Sequence, residues 1–552
     1  MNQGTVGTYY RLIEGPGEPR HLREELGKRA NTGTGHPMLT FVHMTDIHIL
    51  DSESPARVEF LDRHNDREGC EGLIFDAAFR PQEALALFVL ESMIRQIRAV
   101  GAGPVTGAPF EFCICTGDNF DNQQFNELRW FIDMMDGGKP VATSSGSAEY
   151  EGVQSATWGD VEFWHPDPGV PDKYKQQWGF PDYPGLLQDM VQPVVGTGIG
   201  LPWLQTYGNH DGLVQGNFPR GIDWEQIAVG SLKPMGLPPG VNPCDAFETF
   251  MNNPAAIASA PMRPVAPDPA RRIATRREYV EEMFKSTTGP PGHGFTEFNR
   301  RSGVAYWVDD SRPGFRFIGL DTVNPGGHDR GSIGAVQFTW LEERLKEVSS
   351  VHFDAAGGEV RTGNTDKVVI LFSHHGLRSM DPIFINPDPA DPSGSDTPRR
   401  DEQEIEPLIH RFPNVIAWIN GHTHNNIVRA RRMPGRRGFW DIGTASHVDW
   451  VQQSRLIEVV DNLDGTISIF GTMIDHAAPP QPGGVDPVLR LASISRELSG
   501  NDYQLGFDWS EVSVTGSTKA MGKPEDGNVE LVITAPFRLS SHSSGPALAE
   551  TR

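Results

Sequence analysis

The sequence predicts an α/β fold, because short apolar segments alternate along the chain with segments of helical periodicity. The apolar segments have the length and composition of buried strands. After Pro81, apolar residues recur at every fourth position from Leu85 to Ile97, which predicts an amphipathic helix. The segments that predict central strands are residues 39–44, 112–115, 203–207, 316–320, 368–372 and 415–419.

Further elements are predicted towards the C-terminus. Residues 440–442, 454–460 and 466–470 are typical of strands, and the turn at 462–465 has the composition of a hairpin connection. A helix is predicted near 488–498 and a strand near 529–534. These elements extend the alternating pattern into a second sheet.

The composition favours a small-molecule partner over a nucleic acid or a membrane. The chain has 552 residues, with 48 Lys and Arg against 72 Asp and Glu, so its net charge is -24. This charge repels polyanions such as duplex DNA and anionic bilayers. The sequence has no run of about 18 apolar residues and no apolar leader. We therefore expect a cytoplasmic protein with no nucleic-acid or membrane partner, while the oligomeric state is left open.

Four cysteines are too few for a disulfide framework in a chain of this length. Cys113 and Cys115 lie two positions apart in a predicted strand, so both side chains point to one face. We expect them to pack as small apolar groups.

Five segments that follow predicted strands carry side chains of the types that bind metals. Residues at the carboxyl ends of neighbouring strands in an α/β sheet converge on one crevice. Carboxylate, imidazole and amide ligands together suit Mn, Fe, Zn or Co, whereas thiolates would indicate structural zinc. The sequence therefore predicts a catalytic metal centre. The segments are Asp46-Ile47-His48, Gly117-Asp118-Asn119, Gly208-Asn209-His210-Asp211, Ser373-His374-His375 and Gly421-His422-Thr423-His424.

The order of these segments resembles the signature of the calcineurin-like metallophosphoesterases: D-x-H, G-D, G-N-H-D/E, H and G-H-x-H. The resemblance spans roughly residues 39–460. It implies a four-layer α-β-β-α sandwich with two mixed sheets and long loop insertions. It also implies two divalent metal ions and hydrolysis of a phosphoester bond in a small phosphorylated substrate. The expected nucleophile is a hydroxide that bridges both ions.

The resemblance assigns metal binding to seven residues. Asp118 is expected to bridge both ions, because an anionic bridge offsets the repulsion between two dications. His374 is favoured over His375, because in this family the first His after the strand is usually the ligand. The glycines before Asp118, Asn209 and His422 are expected to allow the backbone to turn there. One ion would be bound by Asp46, His48 and His424, and the other by Asn209, His374 and His422.

The same resemblance gives His210 a catalytic role, as the group that stabilises or protonates the leaving oxygen. Asp211 is expected to orient the His210 imidazole. Four further residues are candidates for the substrate pocket, although loop capping or wall packing would also explain some of them. They are Asn119, Asn122, His375 and His447.

The residue three positions after Asp118 bears on the type of phosphoesterase. Purple acid phosphatases have a metal-binding Tyr there, whereas this chain has Asp121. The resulting G-D-x-x-D pattern resembles the branch that contains cyclic-nucleotide and glycerophosphodiester phosphodiesterases. Residues 10–20 and 51–63 also look like a sparsely characterised bacterial subgroup of the superfamily.

Three parts are predicted along the chain. Residues 1–38 form an extended N-terminal arm, and residues 39–475 form the catalytic domain. Within this domain, insertions at about 137–200 and 212–303 are rich in Gly and Pro, as binding loops or lids often are. Residues 476–552 form a C-terminal extension that ends in a disordered tail.

Two alternatives to a small-molecule phosphoesterase stay open. A nuclease of the same superfamily is disfavoured by the acidic net charge and by the lack of a basic run with interleaved aromatics. A catalytically silent metal-binding scaffold is disfavoured because scaffolds of this kind usually lose several ligands. The sequence does not choose between a phosphomonoester and a phosphodiester.

Overall fold

Two mixed β-sheets form the centre of the protein. The computed structural model describes residues 2–3, 9–33, 35–64, 78–144, 149–381, 396–502 and 521–539. In chain order, the strands of the two sheets are β1 His21–Leu26, β2 His36–Met44, β3 Phe112–Cys115, β4 Trp203–Gln205, β5 Trp307–Asp309, β6 Phe315–Gly319, β7 Val368–Phe372, β8 Val415–Asn420, β9 Ile427–Arg431, β10 Phe439–Gly443, β11 Gln453–Asp461, β12 Thr466–Asp475 and β13 Val529–Thr534.

The larger sheet has seven strands in the order β1-β13-β12-β11-β2-β3-β4. Its strands β2, β3 and β4 are parallel neighbours, so their carboxyl ends lie at the same edge. The smaller sheet has six strands in the order β5-β6-β7-β8-β10-β9. Its strands β6, β7, β8 and β10 are parallel, so the ends of β7 and β8 also share an edge.

The sheets pack face to face through aromatic side chains. The rings of Phe41 and Phe372 lie 6.0 Å apart, and those of Phe112 and Phe317 lie 5.2 Å apart. On the smaller sheet, Ile370 packs between the sheets, whereas its neighbour Leu371 belongs to an outer cluster with two helices. This alternation is expected for strands covered on both faces.

Helices cover the outer faces, which completes the predicted four-layer α-β-β-α sandwich. Helices α9 and α10 cover the smaller sheet, and α1 packs with α11 on the side of the larger one. The helices are α1 Ala86–Val100, α2 Phe125–Asp136, α3 Leu186–Met190, α4 Asn209–Gly212, α5 Ile222–Ala228, α6 Ala246–Asn252, α7 Arg276–Met283, α8 Glu297–Ser302, α9 Ala335–Lys346, α10 Glu402–Ile409 and α11 Pro487–Ser499.

The predicted central strands are confirmed, with shifts at their ends. Strands β3 and β7 have the predicted bounds, whereas β2 begins at His36 and β4 ends at Gln205. The helix predicted after Pro81 is α1, which ends where Gly101 adopts a left-handed conformation. The strand predicted near 529–534 is β13.

The predicted N-terminal arm and the second predicted insertion both contain regular structure. The N-terminal segment contributes β1, which pairs in parallel with β13. Residues 212–303 contain α5 to α8. The part with α5 and α6 forms an apolar cluster with residues 56–61, whereas α7 packs on the main core. The C-terminal extension was predicted to end in a disordered tail, and its last residues, 540–552, lie outside the described residues.

Cys113 and Cys115 are buried free thiols in β3, as expected for small apolar groups. Cys244 is disulfide-bonded, which the cysteine count did not predict. Among the helices in the described ranges, none combines the length and the apolar character needed to cross a bilayer.

Candidate metal centre

The candidate ligands lie at the carboxyl ends of β2, β3, β4, β7 and β8, where the edges of the two sheets meet. Backbone hydrogen bonds join the segments within each sheet: Asp46 N–H donates to Gly117 O, and Gly421 N–H donates to His374 O. Between the sheets, the His422 backbone N–H donates to both carboxylate oxygens of Asp46, at 3.1 and 3.0 Å. The five segments predicted from the sequence therefore form one site.

The backbone turns at the candidate ligands themselves. Asp46, His48, Asp118, His422 and His424 have φ between 49° and 68°, in the left-handed region that L-residues rarely adopt. Backbone strain of this kind concentrates at functional sites, where surrounding contacts enforce it. These conformations point alternate side chains such as Asp46 and His48 to one locus.

The preceding glycines contribute mainly by allowing close approach, which corrects part of the expectation. Gly208 has an extended φ of -103°, and a Cβ there would lie 2.2 Å from Asp118 Oδ1. A Cβ at Gly421 would lie 1.9 Å from Thr45 Oγ1. Of the three glycines, Gly117 has a left-handed φ, at 89°.

One group of candidate ligands, which we call the first sub-site, consists of Asp46, His48 and His424. Their ligand atoms lie within 4.8 Å of one another. His424 Nε2 is 3.2 Å from Asp46 Oδ1. The other ring nitrogens are held by carboxylates: His48 Nδ1 lies 2.8 Å from Asp121 Oδ1, and His424 Nδ1 lies 2.6 Å from Asp449 Oδ2.

The second sub-site consists of Asn209, His374 and His422. Backbone carbonyls hold two of these residues: His374 Nδ1 is 2.9 Å from Thr116 O, and Asn209 Nδ2 donates to Gly216 O at 3.0 Å. The rings of His374 and His422 lie 5.1 Å apart at nearly perpendicular planes. Because His374 Nδ1 and Asn209 Nδ2 contact these carbonyls, the remaining polar atoms, His374 Nε2 and Asn209 Oδ1, point away from them.

Asp118 lies between the two sub-sites, close to one histidine of each. Its Oδ2 is 3.0 Å from His374 Nε2 and 3.8 Å from His48 Nε2. Its Oδ1 accepts a hydrogen bond from the His210 backbone N–H at 2.8 Å. Asp118 Oδ2 therefore faces one histidine from each sub-site.

Three of the predicted ligands each have a buried polar atom that forms no hydrogen bond among the residues that the structure describes. These atoms are His48 Nε2, His374 Nε2 and Asn209 Oδ1. Buried polar atoms almost always have a hydrogen-bond partner, so atoms without one indicate a place for a bound ion or water. In each of these residues the other polar atom is already fixed. This donor set of nitrogen and oxygen atoms fits borderline divalent metals.

His375 is held by the protein at both ring nitrogens. Its Nδ1 lies 2.8 Å from Thr322 Oγ1, and its Nε2 lies 2.9 Å from Asp329 O. With both nitrogens occupied, this ring has no lone pair free for a metal. The geometry thus favours His374 as the ligand, although the ring atoms of His374, His375 and His422 also lie within 4.8 Å of one another.

The other three predicted pocket residues are buried and hold neighbouring loops. Asn119 Nδ2 donates to Tyr279 Oη at 3.1 Å, and Asn122 Oδ1 accepts from the Gln215 backbone N–H at 2.6 Å. His447 Nε2 lies 2.9 Å from Ser454 Oγ. These contacts place the three side chains in the supporting wall of the site.

His210 is oriented by Asp121, whereas the sequence predicted Asp211 for this role. His210 Nδ1 lies 2.7 Å from the Asp121 carbonyl oxygen and 3.1 Å from its carboxylate. The Asp211 carboxylate instead accepts hydrogen bonds from the backbone N–H groups of Gly208 and Asn119, at 2.9 and 3.0 Å. Asp211 therefore fixes the loop that carries Asp118, and its prediction as the orienting group is wrong.

Two buried arginines support the carboxylates behind the first sub-site, and the sequence analysis missed both. Arg57 pairs with Asp121 and, at 2.8 Å, with Glu83. Arg80 pairs with Asp449 at 2.9 Å. The G-D-x-x-D spacing was the one sequence signal that could have indicated Asp121. Arg57 and Arg80 belong to an irregular segment whose partners are distant in sequence.

The carboxylates favour positive charge at this site. Burial alone would lower the pKa of His374 and of His424, but Asp118 and Asp46 raise the pKa of His374 to about 9, and Asp46 and Asp449 raise that of His424 to about 10. Burial and the neighbouring His374 lower the pKa of His422 to about 4. A bound cation would supply the positive charge that the carboxylates attract.

No family model and no curated protein matches this chain. Among solved structures, the chain is similar to a dimetal phosphatase from Danio rerio. That alignment covers 80% of this chain and 99% of the phosphatase chain, at 10% sequence identity and a TM-score of 0.35.

Proposed function

We propose that this protein is a metal-dependent phosphoesterase that holds two divalent ions, one in each sub-site, with Asp118 between them. The observation that carries the proposal is the set of orphaned atoms: His48 Nε2, His374 Nε2 and Asn209 Oδ1. A cation bound among these atoms would satisfy them and would offset the charge of the surrounding carboxylates. The order of the motifs, which resembles that of calcineurin-like metallophosphoesterases, supports the same function.

The bound ions would activate a water molecule as nucleophile and neutralise charge on the phosphate. His210 serves the leaving group. Its Nδ1 is held by Asp121, so Nε2 is the ring atom that can exchange a proton with a substrate. The His210 side chain is 17% exposed, whereas His48 is fully buried, which places His210 at the mouth of the site. In this proposal, His210 supplies the proton to the leaving oxygen.

The proposed substrate is a small phosphodiester or phosphomonoester. The net charge of -24 opposes binding of a long polyanion, and the G-D-x-x-D pattern at Asp118 and Asp121 favours the phosphodiesterase branch. The proposed metals are Mn, Fe, Zn or Co, because imidazole ligands suit these ions better than Mg²⁺.

One experiment tests the function and separates the alternatives. The protein is stripped with a chelator, reloaded with Mn²⁺, Zn²⁺, Co²⁺, Fe²⁺ or Mg²⁺, and analysed for bound metal and for hydrolysis of mono- and diesters. Two equivalents of metal with hydrolysis support the proposal. Two equivalents without hydrolysis of any small ester would indicate a scaffold, and cleavage confined to single-stranded or duplex DNA would indicate a nuclease. Full activity with Mg²⁺ alone would contradict the metal assignment.

A further inference from the structure

An arginine-rich turn connects β9 to β10 in a chain that is otherwise strongly acidic. Residues 429–437 contain Arg429, Arg431, Arg432, Arg436 and Arg437, whereas the whole chain carries a net charge of -24. Arg431 is neutralised by Asp441, Glu402 and Glu406. Within the described part of the chain, Arg432, Arg436 and Arg437 form no ion pair. Glu25 lies near Arg432, but its carboxylate is paired with Arg23, so this part of the surface keeps a net positive charge.

Two of these arginines are nevertheless held in place. Arg437 donates to the carbonyl oxygens of Thr534 and Ala535, the former at 3.2 Å. Arg436 donates to Gly357 O at 3.1 Å, and its guanidinium lies 3.8 Å from the centre of the Phe353 ring. Carbonyl and aromatic partners fix a guanidinium without cancelling its charge. The two side chains are therefore arranged in advance for an anion, which lowers the entropy cost of binding.

Two cavities adjoin this pair of arginines. One has a volume of about 540 Å³, and its lining includes Arg432, Arg436, Arg437 and one carboxylate, Glu25, which pairs with Arg23. The other has a volume of about 530 Å³ and includes Phe353 and Phe537 beside Arg436 and Arg437. Its two carboxylates are engaged elsewhere, because Glu359 pairs with Arg361 and Asp366 accepts hydrogen bonds from Ser350. Volumes of this size are typical of small-molecule sites. The cavities combine apolar walls with guanidinium groups that can bind phosphate or carboxylate oxygens in a bidentate manner.

The turn is remote from the metal centre. β10 runs from Phe439, next to the turn, to Gly443, which pairs with Asn420 just before His422. At about 3.3 Å per residue, these four steps separate the turn from the metal centre by about 13 Å or more. An anion bound at the turn would therefore not occupy the proposed active site.

We propose that Arg432, Arg436 and Arg437 form a binding site for a small polyanion with phosphate or carboxylate groups, separate from the metal centre. The site would hold an effector or a second anionic ligand. This proposal does not depend on the catalytic function, because none of its residues belongs to either sub-site.

The test is isothermal titration of the full-length protein with inorganic pyrophosphate and, in a second arm, with citrate. We expect the double variant R436Q/R437Q to weaken binding at least tenfold, with the same loss in the D118N background. The control K285Q/R300Q removes the same charge at exposed Lys285 and half-buried Arg300, which are paired with Glu282 and Glu281. It should bind as the wild type does. Loss with pyrophosphate alone would assign phosphate as the ligand group, and loss with citrate alone would assign carboxylate.

Arg437 also joins the turn to β13, so the double variant could be less stable. Arg432→Gln provides a second test of anion binding, because Arg432 is exposed and lines the same cavity. It should weaken binding at least threefold without a change in melting temperature. Equal losses in K285Q/R300Q and R436Q/R437Q, wild-type affinity in R436Q/R437Q, or the lack of any binding to the wild type would overturn the proposal.

Discussion

The two proposed sub-sites differ in the groups that hold their ligands. In the first sub-site, His48 and His424 donate to the carboxylates of Asp121 and Asp449, which pair in turn with Arg57 and Arg80. In the second sub-site, His374 and Asn209 donate to the neutral carbonyl oxygens of Thr116 and Gly216. A carboxylate partner makes an imidazole a more basic ligand than a carbonyl does. The first sub-site should therefore bind its ion more tightly.

A substitution at Asp118 should weaken metal binding in both sub-sites alike, because Asp118 faces both of them. We expect Asp118→Asn to lower the occupancy of both ions and to reduce turnover by more than about a thousandfold, since it disables a shared unit. Metal analysis and hydrolysis assays check this result. Asp475→Asn, at an exposed position, is the matched control. Two full equivalents of metal with normal turnover in D118N would remove Asp118 from the bridging role.

His210 shares Asp121 with the first sub-site but is proposed to bind no metal. We expect His210→Ala to retain both ions while turnover falls about 100- to 10,000-fold, the range for loss of a positioned acid or base. A substrate with a very acidic leaving group should lose less rate than one with a poor leaving group. Equal losses for both would indicate that His210 stabilises phosphoryl charge, and an unchanged rate would exclude it from the mechanism.

Asp449 tests whether the charged partner matters for the first sub-site. Asp449→Asn should weaken metal binding there about 10- to 100-fold, because outer partners of ligating histidines have effects of this size. The second sub-site should keep its affinity. Thr322→Val, which removes the hydrogen-bond partner of His375 Nδ1, is the control and should leave both affinities unchanged. A loss of metal in the control would indicate that His375 is a ligand.

The order in which the two ions dissociate is the most sensitive measure of the difference in metal affinity between the sub-sites. During slow chelation of the wild type, the second sub-site should empty first, with an affinity gap of about tenfold. Asn209→Ala should widen this gap and leave one ion bound. Stepwise titration with Co²⁺, followed by its absorption spectrum, distinguishes the two steps. Simultaneous loss of both ions, or an Asn209→Ala variant that keeps two, would contradict the comparison.

The segments that carry the candidate ligands could be predicted because each follows an apolar strand and carries a recognisable pattern. The family resemblance already favoured His374 over His375. The physical reason needed the structure, because it depends on Thr116, Thr322 and Asp329, which lie far away in the sequence.

The residues that hold the ligands of the first sub-site were harder to predict from the sequence. Asp211 was the predicted partner of His210 because it is adjacent in sequence. In the structure, a four-residue helical turn directs the Asp211 carboxylate to the backbone, and Asp121 contacts His210 Nδ1 instead. Arg57 and Arg80 lie in irregular segments, where no periodicity indicates burial or partners. Their buried ion pairs are properties of the tertiary structure alone.

The left-handed backbone at the candidate ligands has a consequence for the stability of the metal-free protein. Asp46, His48, Asp118, His422 and His424 each have a conformation that costs an L-residue about 1 kcal/mol, and glycine avoids this cost. Replacing His422 by glycine should therefore leave the apoprotein more stable than replacing it by alanine, although both changes remove the same imidazole. The stability difference between the glycine and alanine variants can be measured at each of these positions by thermal unfolding. It would identify the residues at which the fold tolerates backbone strain in order to orient a side chain.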